Sequence, residues 1–182
     1  MTGKAILLNG ASSRGKSSIA RAVQARIGEP FWHFSIDHLR DAGVLPLDRI
    51  RSGEFPWSDQ RDAFFDGFRQ SLKAFLAPGN NLIVEHIVET PAWMQQLTIL
   101  LESADVFFVG VHCPLADLER RELARGDRPI GSAACDFHNI HRHAVYDLEL
   151  DGTHSPETNA HRLIGEWAAR ERPSAFDRLR LG

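Results

Sequence analysis

The residues best suited to chemistry lie in a glycine-rich segment near the start of the chain. Gly10 to Ser17, GASSRGKS, matches G-x-x-x-x-G-K-[ST] directly after an apolar run and directly before a helical pattern. Glycines permit close turns, successive backbone N–H groups can face an anion, and a helix start adds partial positive charge. The pattern therefore predicts a nucleotide phosphate site in which Lys16 reaches the β- and γ-phosphates and Ser17 binds Mg²⁺.

We expect the nucleotide to contact the whole of this loop. The alternative is a turn that only joins strand to helix, and the flanking strand and helix patterns make that reading the weaker one. Arg14 occupies a free position of the motif and points either to solvent or to the nucleotide. The predicted contacts are Gly10, Ala11, Ser12, Ser13, Arg14, Gly15, Lys16, Ser17 and Ser18.

Two carboxylates occur where further apolar runs end. Asp37 follows the run 31–36, at the strand end where ligands bind in open α/β sheets, so it could accept a proton from a hydroxyl or cap a helix. Glu85 interrupts the run 82–88 and is a candidate to hold Mg²⁺, directly or through water, and to border the substrate. His86 should face the opposite side of the strand, where we expect a buried, hydrogen-bonded histidine.

A charge-rich helix begins after Pro114. Arg121 and Arg125 are like charges one turn apart, which is mildly unfavourable unless an anion lies between them. We therefore predict a phosphate-facing lid over about residues 117–135, which also holds Arg128. His138, His141 and His143 match no standard metal spacing, and no metal site is predicted there.

The segment 41–60 contains scattered glycine and proline and is too broken for a long element. We expect it to cover the substrate, with Trp57 as the tryptophan that stacks on it. Beyond residue 170 the chain reads as a polar tail.

Apolar runs alternate with helical patterns along the whole chain. Strands are predicted at 5–9, 31–36, 82–88, 105–111 and 146–150, and helices at 16–27, 64–76, 90–101, 114–125, 132–143 and 155–170. This alternation predicts an α/β fold in three layers, with a parallel sheet covered by helices on both faces.

Composition narrows the class of protein further. The 182 residues suit one domain over 1–182, and 43% hydrophobic with 25% charged residues excludes wholesale disorder. A net charge of -3 lacks the basic excess of a nucleic-acid binder. The two cysteines, Cys113 and Cys135, do not suggest a disulfide scaffold, and we expect a cytoplasmic protein without a membrane span.

Five stretches in this order resemble the chloramphenicol phosphotransferase family, which consists of small P-loop kinases similar to nucleoside monophosphate kinases. They are LLNGASSRGKS, SIDHL, FFVGVHC, ERRELARGDRPIG and YDLELDGTHSP, and they span most of the chain. The resemblance implies sheet order 2-3-1-4-5 and transfer of the ATP γ-phosphoryl group to a hydroxyl of a small molecule, which is chloramphenicol in the named member.

The resemblance also implies roles for individual residues. Gly10, Gly15, Lys16 and Ser17 would hold ATP and Mg²⁺, and Asp37 would be the general base. The arginines Arg121, Arg125 and Arg128 would neutralise charge on the transferring group. The loop after the last strand, with Asp151, Thr153 and His154, would border the adenine.

The chain departs from the family at two places that concern specificity. The third strand ends in Glu85-His86 where the family can have paired acidic residues, and segment 41–60 does not match the antibiotic-binding segment. The sequence therefore predicts an ATP-dependent O-phosphotransferase whose acceptor is chloramphenicol or another small hydroxylated compound. The alternatives are a metabolite kinase and a nucleotide-dependent regulatory ATPase, and no N-K-x-D motif for reading guanine occurs.

Overall fold

A computed structural model describes residues 2–11, 15–125, 131, 137, 139–142 and 144–181, without the side chains of 121, 122, 124 and 125. The predicted calls on Ser12, Ser13, Arg14, Arg128 and His138 thus lie outside the described residues. The strands are β1 (Lys4–Asn9), β2 (Phe31–Ser35), β3 (Asn81–His86), β4 (Asp105–His112) and β5 (Leu148–Asp151). The helices are α1 (Lys16–Gln24), α2 (Ile36–Asp41), α3 (Leu47–Arg51), α4 (Trp57–Leu76), α5 (Pro91–Leu100), α6 (Leu115–Arg125), α7 (Pro156–Ala169) and α8 (Ala175–Leu181).

Within the described residues, the strands form one parallel sheet in the order β2-β3-β1-β4-β5. The α/β fold class and the 2-3-1-4-5 order expected from the sequence are confirmed. β1 is the central strand, and its residues Ala5 to Leu8 are fully buried because helices cover both faces of the sheet. All strand carboxyl ends consequently lie along one edge, where such sheets bind ligands.

The core has two parts, one on each face of the sheet. Ile6 and Leu8 of β1 pack towards α1 and α7, whereas Ala5 and Leu7 pack towards α4, α5 and α8. This division follows from the alternation of side chains along a strand. The same alternation decides which side chains at the carboxyl edge face α1 and which face α4.

Two helix starts confirm capping signals in the sequence. The Thr90 hydroxyl accepts from the Trp93 backbone N–H at 3.2 Å, and the Ser155 hydroxyl accepts from that of Thr158 at 3.1 Å. Each cap is followed by proline at the first helical position, where the missing N–H is not needed.

Two regions differ from the prediction. Segment 41–60 holds the short helix α3, and α4 begins at Trp57, two turns before the predicted start at 64. Beyond residue 170, where the sequence predicts a polar tail, the chain forms α8, because Ala175 and Phe176 are buried and Phe176 packs in the core on the α4 side of the sheet. In the described part of the chain, no helix is both long and apolar enough to cross a membrane.

Gly110 of β4 is covered by an aromatic ring. A Cβ placed on Gly110 would lie 2.7 Å from carbons of the Tyr146 ring. We expect Gly110→Ala to lower the free energy of unfolding by about 1–3 kcal/mol, because a packed ring cannot move aside without strain.

The matched control is Gly165→Ala on α7, where a Cβ meets nothing within 4 Å. This variant should be more stable than wild type by about 0.5–1 kcal/mol, because alanine favours the helix. Urea denaturation measures both. Equal stability of Gly110→Ala and wild type would contradict the packing of Tyr146.

Candidate active site

The loop between β1 and α1 enters the helix through a left-handed residue. Gly15 has φ of 79°, a backbone conformation that residues other than glycine rarely adopt. Its carbonyl accepts the N–H of Ile19 at 3.0 Å. The backbone therefore turns sharply before Lys16 begins α1. Gly10, Ala11, Gly15, Lys16, Ser17 and Ser18 are all placed at this junction, as predicted.

The side chain of Lys16 folds over the loop that precedes it. Its Nζ atom donates to the carbonyl oxygens of Gly10 at 2.7 Å and Ala11 at 2.8 Å, and the residue is buried. A buried ammonium needs such acceptors, since an unpaired charge is costly to desolvate. The positive charge is thereby held at the mouth of the loop, where a phosphate would lie.

Glu85 joins the phosphate loop to the neighbouring strands. Its Oε2 accepts from the Ser17 hydroxyl at 2.9 Å, and its Oε1 lies 2.5 Å from Nε2 of His33. Burial raises the pKa of Glu85, but the His33 hydrogen bond, the Lys16 charge and the Ser17 hydroxyl outweigh it and hold the pKa below its ordinary value. Glu85 is therefore an ionised carboxylate in contact with Ser17.

Asp37 lies in the first turn of α2, just beyond the end of β2. The Ser35 hydroxyl, not Asp37, caps this helix by accepting the backbone N–H of Asp37 at 3.2 Å. The Asp37 carboxylate, with 30% of the side chain exposed, lies 3.3 Å from Nη1 of Arg40. Because Ser35 pairs with Glu85 in the sheet, Asp37 and Glu85 lie at adjacent strand ends.

The predicted lid is only partly described. Arg121 and Arg125 lie on α6, which follows β4, and their side chains are outside the described residues. Arg128 is outside them altogether. The helix α6 begins after the carboxyl end of β4, the neighbour of the strand from which the phosphate loop departs.

The turn after β5 is a locally bonded structure. Asp151 Oδ1 accepts from the backbone N–H of Thr153 at 2.8 Å and from its hydroxyl at 2.7 Å, and these bonds lower the pKa of Asp151. Asp151, Thr153 and His154 are exposed. These three residues lie at the carboxyl edge of the sheet, and β4 separates β5 from β1, the strand that leads into the phosphate loop.

Trp57 is the tryptophan predicted to stack on the substrate. It occupies the first turn of α4 and contacts the ring of Phe64, with ring centroids 5.8 Å apart.

Two residues of the site were missed by sequence reasoning. His33 of β2 binds Glu85, and the signal for it is a polar residue inside an aromatic strand. Asn9, the last residue of β1, is fully buried; its amide donates to Tyr146 Oη at 2.8 Å and accepts the Val88 N–H at 2.9 Å. Asn9 thus fixes the strand from which the phosphate loop departs.

His86 faces the side of the sheet opposite to Glu85, as predicted, and it is buried among Phe65, Phe68 and Trp93. The expected hydrogen bond is reduced to an interaction with the Ile87 backbone, which raises the pKa of His86 against the larger effect of burial. The Ile87 backbone lies near the ring, but neither ring nitrogen has a partner in hydrogen-bond geometry among the described residues. Burial lowers the pKa of His86 to about 3, so the ring is neutral.

A glycine-rich loop that enters a helix after the central strand of a 2-3-1-4-5 parallel sheet defines the class: this is a P-loop kinase fold. The chain belongs to the family of chloramphenicol phosphotransferase-like proteins, whose model matches residues 3–168. It is 34% identical, over 98% of its length and 88% of the relative's, to a Mycobacterium tuberculosis protein of two strains that is provisionally named an O-phosphotransferase.

Solved structures agree on the fold. An APS kinase of Mycobacterium tuberculosis, in complex with AMPPNP and APS, superposes with a TM-score of 0.66 at 21% identity, covering 92% of this chain and 98% of that one. A gluconokinase of Sinorhizobium meliloti gives a TM-score of 0.64 at 17% identity, covering 92% and 93%. The family and its relatives place the chain among kinases and O-phosphotransferases.

The buried neutral His86 should make stability depend on pH. In the unfolded chain its pKa returns to about 6.5, so below that pH the unfolded state binds a proton that the folded state refuses until pH about 3. The contribution of the neutral His86 ring to the free energy of unfolding is therefore fully present above pH 6.5 and is lost as the pH falls towards 3. We expect His86→Phe to flatten the decrease between pH 6 and 4 by up to about 1.4 kcal/mol per pH unit.

The measurement is urea denaturation from pH 7 to 4. The control is His161→Phe on α7, where the side chain is exposed in the folded state and the wild-type slope should persist. Parallel curves for wild type and His86→Phe would contradict the neutral buried ring.

Proposed function

We propose that this protein is an ATP-dependent O-phosphotransferase that moves the γ-phosphoryl group of ATP to a hydroxyl of a small molecule. The observation that carries the proposal is the bond from Ser17 to Glu85 beside Lys16, on the same edge of the sheet as Asp37. A cation, a hydroxyl and two carboxylates around a phosphate loop are the groups that phosphoryl transfer uses.

The nucleotide side of the site consists of the loop, Lys16 and Ser17. Lys16 would exchange its loop carbonyl contacts for phosphate oxygens, and backbone N–H groups would cradle the phosphates. The donors also suit Mg²⁺, because the Ser17 hydroxyl and the Glu85 carboxylate are hard oxygen ligands 2.9 Å apart. When bound there, the ion would neutralise phosphate charge.

The acceptor side of the site is Asp37. The acceptor oxygen would attack the γ-phosphorus in line, the new O–P bond would form as the bond to the ADP oxygen breaks, and the hydroxyl proton would pass to the Asp37 carboxylate. Positioning and electrostatics supply most of the catalysis.

The remaining predicted roles complete the proposal. Arg121, Arg125 and Arg128 would close over the transferring group and balance its charge. The turn holding Asp151, Thr153 and His154 would border the adenine, with Asp151 acting by shaping the turn. We propose segment 41–60, with Trp57, as the cover of the acceptor.

The acceptor to test first is chloramphenicol, because it is the compound in the family's name. Wild type and Lys16→Ala are incubated with ATP, Mg²⁺ and a pool of hydroxylated antibiotics and metabolites, and products are identified by mass spectrometry. Lys16→Ala should form no phosphorylated product, since it lacks the charge that holds the phosphates.

Phosphorylated chloramphenicol from wild type alone would support antibiotic inactivation. A different phosphorylated acceptor would support the proposed kinase activity and would show that chloramphenicol is not its substrate. ADP release without any phosphorylated product would contradict the proposal and favour a regulatory ATPase.

Asp37→Asn should bind ATP as wild type does and lower kcat by about 10²–10⁴-fold, because an amide cannot accept the hydroxyl proton. The matched control is Glu166→Gln, at an exposed carboxylate on α7, and its kcat should equal that of wild type. Steady-state assays with the identified acceptor measure kcat. Full turnover by Asp37→Asn would exclude the general-base role.

A further inference from the structure

A group of cations and aromatic rings lies where α4 and α5 meet the carboxyl end of β3. We call it the Trp93 cluster. The guanidinium carbons of Arg61 and Arg69 lie 5.2 Å and 4.6 Å from the centroid of the Trp93 ring, and the His86 ring lies 6.0 Å from it. The members are Arg61, Phe65, Arg69, His86 and Trp93.

Arg69 is a buried cation with two unused donors. Only 4% of its side chain is exposed, and neither Nε nor Nη1 has a hydrogen-bond partner among the described residues. Its nearest carboxylate is that of Asp66, 3.6 Å from Nη2 and 56% exposed. The face of the Trp93 ring attracts the Arg69 charge, but it accepts no hydrogen bond as a carboxylate oxygen would. The cost of burying the guanidinium is therefore not fully compensated.

His86 adds two more unused groups at the same place. Both ring nitrogens are buried without a partner in hydrogen-bond geometry, and Arg69 is close enough for its charge to oppose protonation of the ring. A neutral imidazole offers one donor and one acceptor. Arg69 and His86 together therefore present several buried polar atoms that the described chain leaves unsatisfied, which marks a place that a ligand completes.

The position of the cluster links it to the acceptor. His86 directly follows Glu85, and Ser35, two residues before Asp37, pairs with Glu85. The Phe34 ring of β2 stacks on Phe68, one residue before Arg69, at 5.2 Å. A molecule whose hydroxyl lies at Asp37 can thus extend across the ends of β2 and β3 towards α4.

The chemistry of the cluster selects one kind of group. A guanidinium binds a planar carboxylate through two parallel hydrogen bonds that use Nη2 together with Nε or with Nη1. At Arg69 the bound carboxylate would therefore share Nη2 with Asp66, 3.6 Å away, and a neutral histidine can donate a further hydrogen bond. The rings of Phe65 and Trp93, 4.9 Å apart, supply an apolar wall for the carbon skeleton beside the carboxylate.

We propose that Arg69 and His86, walled by Trp93, bind a carboxylate of the phosphate acceptor. The acceptor is then a hydroxy acid that presents its hydroxyl to Asp37 and its carboxylate to Arg69. This inference rests on the proposed phosphotransferase function, which it deepens by naming the class of acceptor. Arg61 is the partly exposed member of the cluster, and it pairs with Glu89 outside it; each side chain is about one-third exposed.

The first test measures binding rather than turnover. The probes are 3-(hydroxymethyl)benzoate, mandelate and 3-hydroxybutyrate, each with its methyl ester, in ligand-observed NMR with wild type, and at least one acid should bind about 10-fold tighter than its ester. Arg69→Met should lose that preference. The control Arg162→Met, at an exposed side chain on α7, should keep it.

Two results would overturn the inference. One is a panel in which no acid binds wild type more tightly than its ester. The other is a preference for acids that Arg69→Met retains. Arg69→Lys provides the same comparison if the methionine variant does not fold, and it should bind the acids more weakly than wild type because a point charge lacks the two-pronged geometry.

A stability measurement separates recognition from structure. An arginine kept for a ligand destabilises the empty protein, so Arg69→Met without ligand should melt at or above the wild-type temperature. A fall in melting temperature larger than that of Arg162→Met would identify Arg69 as structural and overturn the inference.

The Lys16→Ala protein distinguishes failure of this inference from failure of the proposed function. Lys16→Ala should bind the acids as wild type does, although it transfers no phosphate. Acid binding through Arg69 without phosphoryl transfer by wild type would keep the subsite and reject the kinase. Efficient phosphorylation of neutral acceptors alone, with equal rates in Arg69→Met, would keep the kinase and reject the subsite.

Discussion

The geometry of the site depends on the buried carboxylate of Glu85. An ionised carboxylate is tolerated in such a place only with strong partners, and Ser17 of α1 and His33 of β2 are those partners. The three groups tie the phosphate loop to the two strands beyond it. Since Asp37 follows β2 directly, the same bonds determine where its carboxylate lies relative to the phosphate loop.

Alternation along β3 separates two tasks. Glu85 points towards α1 and the nucleotide, while His86 points towards α4 and α5. A change of acceptor would therefore require new residues on α4 and α5, without disturbance of the phosphate loop. The sequence already shows that His86 stands where the family can have a second acidic residue. This difference affects the side of β3 that faces α4 and α5, whereas Glu85 keeps its bond to Ser17 on the other side.

The sequence predicted the features that local patterns determine. Buried strands are apolar runs, and the phosphate loop is specified by its own glycines, so β1, β3, β4 and the turn at Gly15 were predictable. The helical tail was missed because its burial depends on the sheet face that Phe176 meets. His33 and Arg69 were missed because their partners lie on other elements, and contacts between distant residues carry no local pattern.

Tyr146 is the one tyrosine of the chain, and it lies at a junction. Its hydroxyl meets the Asn9 amide at 2.8 Å and His141 Nδ1 at 2.7 Å, while its ring covers Gly110. Asn9 ends β1, the strand before the phosphate loop, and Gly110 belongs to β4. His141 lies in the segment that follows the predicted lid. Isotope labelling of tyrosine would consequently give NMR signals from Tyr146 alone, which need no assignment. Those signals would report on the place where these three parts of the unmodified protein meet.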